Sequence, residues 1–363
     1  MKSNYLVEIE SFQELQLIKK IIDCLYPLKQ IEKLDLFNQI KPLSKYILDR
    51  LGILELNQNI SLNIKNGLLT LASPSSMTKV TIEKCVKIND YVFKGFKNLR
   101  SVDIKDGLVV IGKGAFYNCK LINHISLPRS IKEIDDEALY NLSSLKRIEL
   151  LGKNMKLKLP LLRGASSLNS IKLSVNVFQN NGKFITLGEL FGTEEYNDSS
   201  AINQISNNTS VMYYIPNQLN EVIIEGDEKE SYIPPYAFSN ISSLNNVMLP
   251  NNLKSISNGM FLGCSSIENI IIPNTVKEIG YEAFKDCQSL SKIEIPDGVE
   301  EIGAFAFRNC VNLKEIEIPS SVKKIGYHAF DLDVKIILKA NDIPSGFENE
   351  WCLNLSNVIC SNM

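Results

Sequence analysis

The sequence predicts a β-rich repeat solenoid of about eleven coils. Three observations predict it. First, one phrase recurs from Ala237 to Phe330, with apolar anchors at Phe238, Phe261, Phe284, Phe307 and Phe330, 23 residues apart at each step. Second, each of the four copies in that stretch holds an alternating apolar run, a proline, a shorter apolar pair and a glycine. Third, the strand-opening pattern continues far upstream of the clean copies. A fixed period in the twenties marks units that bury their apolar face on the next unit, because one unit alone has too little core.

Residues 1–60 do not follow the period. Ser11 and Glu14 have capping-box spacing, and Leu15, Ile18, Ile22 and Leu25 recur at helical intervals up to Pro27. A second helix is expected from about Pro42 to Leu51, ending at Gly52. This segment reads as a small helical N-terminal cap, or else as a docking segment. Residues 61–340 form the solenoid. The strands are MTKVTI (77–82), LRSVDI (99–104), INHISL (122–127), LKRIEL (145–150), LNSIKL (168–173), LNEVII (219–224), LNNVML (244–249), IENIII (267–272), LSKIEI (290–295), LKEIEI (313–318) and the shorter VKIIL (334–338). From LRSVDI to LNSIKL, each opens six residues after an anchor, at Phe93, Phe116, Leu139 and Leu162.

Within a unit the residue types follow from packing. In LKEIEIPSSVKKIGYHAF, Leu313, Ile316 and Ile318 point inward while Glu315 and Glu317 alternate outward. Pro319 ends the strand, since it cannot donate to a ladder. Val322 and Ile325 form a second inward pair, and Gly326 opens the turn toward Phe330, as Gly112, Gly280 and Gly303 do elsewhere.

Residues 174–218 interrupt the period: the next plausible anchor after Leu162 is Tyr213, 51 residues on. The stretch EEYNDSSAINQISNNTS is polar and reads as a surface loop. Residues 341–363 are expected to form a C-terminal cap or tail, with Phe347 and Trp351 over the last coil.

The unit LxxIxIPxxVxxIGxxAFxxCxx resembles the BspA-type leucine-rich repeat, as KIEIPDGVEEIGAFAFRNCVNL and EIEIPSSVKKIGYHAFDL show. LGELFGT (187–193), with IPNQLNEVIIEG and IPPYAF, is similar to a variant unit met in such proteins. The resemblance implies a right-handed stack and an interaction role, commonly in adhesion and host contact at cell surfaces. It supplies no catalytic residues.

Composition narrows the function further. A net charge of −2 and 44% hydrophobic residues suit a continuous core and ask for no nucleic-acid partner. No run of 18 apolar residues exists, so membrane insertion is not expected. The opening residues lack a signal-peptide pattern, which makes a cytoplasmic location the expectation; surface display or non-classical secretion is the alternative. The two histidines, His124 and His328, lie in coils far apart, and no nucleophile, phosphate-loop or metalloprotease motif occurs. The chain is therefore expected not to be an enzyme and to need no cofactor. Of eight cysteines, Cys119, Cys264, Cys287 and Cys310 fall three residues after an anchor, where small buried hydrophobes would fill one slot per coil. Neighbouring coils bring this slot within disulfide distance, although reduced thiols suit a cytosolic chain.

The candidate site lies on outward strand positions, which stack into columns. One column runs Arg147, Ser170, Glu221, Asn246 and Asn269; the next runs Glu149, Lys172, Ile223, Met248 and Ile271. Three successive apolar residues on an otherwise polar sheet mark a partner surface, unless residues 174–218 fold over them. The expected partner is a protein; a glycan is left open, with no residue to support it. The alternative reading is an intracellular scaffold that docks through residues 1–60.

Overall fold

The computed structural model describes residues 61–63, 68–69, 78–83, 86–194, 201–205 and 211–361. The helices expected in residues 1–60 fall outside these. Within them the chain is a β-solenoid of about eleven turns. Its only helical pieces among the described residues are three 3-10 turns, at Val175–Phe178, Gly188–Leu190 and Leu355–Asn357. No helix among the described residues is long and apolar enough to cross a membrane.

Two compact units are formed, Met1–Leu145 with Met155–Leu161 and Lys146–Asn154 with Leu162–Met363. In the first, Ser61–Asn63, Lys79–Glu83, Ser101–Ile104 and His124–Ser126 pair in parallel, with Lys79 opposite Ser101 and Ser101 opposite His124. A second parallel ladder joins Leu68–Leu69, Lys87–Ile88, Val110–Ile111, Glu133–Ile134 and Lys156–Leu157. The second unit repeats this plan with Arg147–Leu150, Ser170–Ser174, Glu221–Glu225 and Asn246–Met248 on one face. Ser255–Ile256, Glu278–Ile279, Glu301–Ile302 and Lys324–Ile325 form the shorter ladder. The parallel stack continues past residue 340, because Val358–Cys360 pairs with Lys335–Leu338.

The core follows the alternation. Leu313, Ile316, Ile318, Val322 and Ile325 are buried while Glu315, Glu317, Lys323 and Lys324 are exposed. The anchors form a stacked spine: Phe238, Phe261, Phe284, Phe307 and Phe330 have successive ring centroids 5.3–5.4 Å apart and interplanar angles of 7–14°. Each is fully buried, and each such pair contributes about 0.5–1.5 kcal/mol beyond its area. Trp351 packs edge-on against Phe330 at the end of this spine.

The cysteine slot holds free thiols. The Sγ of Cys264, Cys287 and Cys310 donate to the carbonyls of Phe238, Phe261 and Phe284, 3.0–3.2 Å away, and Cys119 donates likewise to Phe93. Burial pushes the Cys119 thiol up to about 12 and the other three well above the ordinary range. Each thiol thus serves as a buried donor that ties one coil to the carbonyl of the one before.

Two positions per coil are left-handed. The residue two after the anchor is Gly95, Asn118, Asn141, Gly164, Asn240, Gly263, Asp286 or Asn309, with φ between 59° and 80°. Asn and Asp tolerate this conformation, and their side chains bond along the column, as Asn309 Nδ2 does to Asp286 Oδ1 at 2.7 Å. The glycine before the turn has another cause. A Cβ on Gly326 would lie 2.4 Å from the Ala304 backbone nitrogen, so glycine is required by the close approach of coils.

The irregular stretch departs from expectation. Leu162 N–H bonds the Leu190 carbonyl, the pattern that precedes an anchor, and Phe191, fully buried, fills the slot assigned to Tyr213. The 3-10 turn Gly188–Leu190 brings the chain back to the stack early. Tyr213 lies instead in an antiparallel hairpin of Ala201–Ile205 with Met212–Pro216. Ser170–Ser174 pairs directly with Glu221–Glu225, so the strand face continues past the insertion without a gap.

Candidate partner interface

The proposed columns occupy the second unit. Ser170 stands opposite Arg147 and Glu221, and Glu221 opposite Asn246; Lys172 stands opposite Glu149 and Ile223, and Ile223 opposite Met248. Strand alternation sets them on the face opposite the buried Ile171, Val222 and Ile224, although Ser170 is itself buried there. Met248 is 55% and Ile271 84% exposed, and Ile223 is half-buried.

Beside the apolar stripe runs a tied polar one. Glu221 accepts from Ser170 Oγ and, at 2.8 Å, from Asn246 Nδ2. Lys172 pairs with Glu225, and Arg147 with Glu149 at 3.1 Å, both within the strand face. Asn269 is exposed and lies opposite Lys292, which pairs with Glu294 at 3.1 Å. The stripe is therefore bounded by satisfied charges on one side and by Lys292 and Glu294 on the other. Exposed pairs like these contribute a few tenths of a kcal/mol at most and mainly delimit the patch.

A backbone feature coincides with the stripe. The ladder of Glu221–Glu225 ends at Asn246–Met248, and Asn269–Ile270 pairs only with Lys292–Ile293. Where the ladder stops, Val247 and Leu249, inward positions elsewhere buried, are half-exposed. Neither signal is visible in residue types, since the local sequence keeps the repeat.

His124 is exposed on a strand of the first unit, and His328 Nε2 lies 3.6 Å from the Glu350 carboxylate in the second. Among the described residues no group of three His, Cys, Asp or Glu could hold a metal ion.

A second surface escaped the sequence reading. The residue two before the anchors from Phe238 to Phe330 is also left-handed, at Tyr236, Gly259, Glu282, Phe305 and His328, with φ of 48–59°, and Glu350 has φ 57°. Glycine takes this conformation freely, whereas a bulky L-residue costs about 1–2 kcal/mol there. Glu282, Phe305, His328 and Glu350 nevertheless occupy it. Tyr281 and Tyr327, one residue earlier in their coils, are 41% and 38% exposed. The signal that could have found this edge was the 23-residue spacing from Glu282 to Phe305 and on to His328.

The model of the BspA type leucine rich repeat region matches six copies, over residues 70–184 and 203–337. Among solved structures, a leucine-rich repeat protein from Bacteroides ovatus is 21% identical, covering 85% of this chain and 68% of its own, with a TM-score of 0.39. The pneumococcal vaccine antigen PcpA is 20% identical over 80% of this chain and 78% of its own, with a TM-score of 0.35. A leucine rich cell surface protein from Faecalibacterium prausnitzii is 18% identical over 73% and 91%, with a TM-score of 0.26. No curated protein matches the chain. Leucine-rich repeat proteins generally mediate protein–protein interaction or adhesion, and the fold is typically non-enzymatic. With the family model spanning most of its coils, the chain belongs to the BspA-type leucine-rich repeat family.

Proposed function

We propose that this chain binds a protein partner through its strand face, with Ile223, Met248 and Ile271 at the centre of the contact. The observation that carries the reading is the exposure of Met248 and Ile271, at 55% and 84%, on neighbouring coils whose column is charged on either side, at Glu149 and Lys172 and at Glu294 and Glu317. Covering each such side chain contributes about 1.5–3 kcal/mol before ordering costs. Glu221, Asn246, Asn269, Arg147, Glu149 and Lys172 form the polar rim that sets register. The surface neighbours named above are in keeping with an adhesive role, which remains part of the same proposal.

The test is affinity capture with the full chain against Met248→Glu combined with Ile271→Glu. The expected result is loss of the captured protein at unchanged circular dichroism and melting temperature. Equal capture by the variant overturns the reading, and so does unfolding, since it would show the stripe to be core. Removing residues 1–60 is expected to leave capture intact; loss of the partner with an intact solenoid would favour docking through that segment. Protease treatment of intact cells separates a surface role, in which the chain is digested, from an internal one.

A further inference from the structure

The turn edge of the second unit carries aromatic rings in a perpendicular series. Tyr281 and Phe305 have centroids 5.8 Å apart at 88°, Phe305 and Tyr327 5.6 Å apart at 81°, and His328 stacks on Tyr327 at 3.7 Å. Carboxylates are interleaved with the rings. Glu282 follows Tyr281 in the chain with 13% of its side chain exposed, and Glu350, beside His328 and Tyr327, keeps 69% exposed. Packing would accept glycine in the left-handed column, as at Gly259, so the choice of Glu282, Phe305, His328 and Glu350 asks for another cause.

The edge already shows what it attracts. Lys285 Nζ lies 5.9 Å from the Phe305 ring centroid and 2.6 Å from Glu282. In the first unit the same edge holds Lys94 over Tyr91 and Tyr117, 4.8 and 4.9 Å from their centroids. In both places an ammonium from the chain itself rests on a ring face, the expected cation–π geometry. Lys285 lies near Tyr281 and Arg308 near Tyr327, but neither is seated over those rings among the described cation–ring contacts, and Glu350 has His328 Nε2 3.6 Å away.

We propose that the edge formed by Tyr281, Phe305 and Tyr327 with Glu282 and Glu350 binds arginine or lysine side chains of a basic peptide segment in a partner. A guanidinium can lie on a ring while its N–H groups reach the carboxylate between rings. The perpendicular alternation offers no flat platform for a sugar ring, which separates this surface from a glycan site. The inference concerns a different face from the strand stripe and stands without it.

The test uses the full chain and a fluorescein-labelled arginine–glycine peptide, followed by anisotropy. A glutamate–glycine peptide and a neutral gluco-oligosaccharide serve as comparison ligands. Replacing Tyr281→Leu and Tyr327→Leu together preserves charge and is expected to weaken the arginine peptide about tenfold. Glu350→Gln is expected to weaken it about threefold. Lys285→Ala frees Phe305 and Glu282 and is expected to strengthen it about threefold. The proposal is overturned if the arginine peptide does not bind, or if the tyrosine pair leaves its affinity unchanged, which would mean charge alone. It is equally overturned if Lys285→Ala weakens binding, or if the oligosaccharide binds in the peptide's place.

Discussion

Phe284 is the position at which the stacking account is most exposed to test. Its ring is fully buried, and it stacks on Phe261 at 5.4 Å and 14° and on Phe307 at 5.4 Å and 7°. Phe284→Ala removes a ring between two others, and neither neighbour can close the gap while its own coil is held by the Phe261–Ala283 and Phe307–Ala329 backbone bonds. Core truncations of this kind cost about 3–5 kcal/mol, a figure that already contains the lost ring contacts, and the upper half applies where collapse is restrained. Phe284→Leu is expected to cost only about 1–2 kcal/mol, because leucine fills the same slot at Leu139 and Leu162. Urea unfolding followed by circular dichroism and by the fluorescence of Trp351, the single tryptophan, measures both. Since coils couple only to their neighbours, the Trp351 transition should move to lower urea and separate from the rest. Ile271→Glu, at 84% exposure, should change stability by no more than about 0.5 kcal/mol. A loss below about 1.5 kcal/mol for Phe284→Ala, or one equal to that of Ile271→Glu, would refute the spine as the source of cohesion.

Three further outcomes are expected. The buried thiols have folded pKa values raised above the unfolded ones, so their stabilisation is full below the unfolded pKa and falls as pH rises through it toward the folded value, which for Cys119 runs from 9.0 to about 12. Wild type should therefore lose up to about 1.4 kcal/mol per pH unit per thiol above pH ~9, and Cys264→Ala with Cys287→Ala should lose less; an equal fall of urea-derived stability with pH in both proteins would contradict this. In native alkylation read by mass spectrometry, Cys360, which is exposed, should react far faster than Cys264, Cys287 or Cys310; matched rates would place the slot in solvent. Asn309 has φ 60° and bonds Asp286, so Asn309→Gly should be more stable than Asn309→Ala by about 1 kcal/mol in thermal melts, and the reverse order would show the left-handed position to be misassigned.

The repeat was open to sequence reading because packing demands the same residue type at each step. The inward series Leu313, Ile316, Ile318, Val322 and Ile325, the phenylalanine spine and the charge pairs across the shorter ladder, such as Lys277 with Glu300 at 3.2 Å, are all periodic in residue type. The outward stripe of Ile223, Met248 and Ile271 was legible for the same reason, as an apolar exception in a polar column. Period alone misplaced the anchor at Tyr213, because a 3-10 turn at Gly188–Leu190 returns Phe191 to the slot after fewer residues than counting suggests.

What the residues alone determined is the alternation of inside and outside along each coil, since side-chain burial is written in residue type. Only the stacked structure decided the rest. The sign of φ at Phe305 and His328, the approach that leaves Gly326 no room for a Cβ, and the S–H bonds to the preceding coil depend on how one turn rests on another. So do the ladder's end at Met248 and the ring series along the turn edge, because both are set by coils meeting across 20 or more residues of chain. A residue states its own preference, but its backbone angles and neighbours are fixed by the coil above and the coil below.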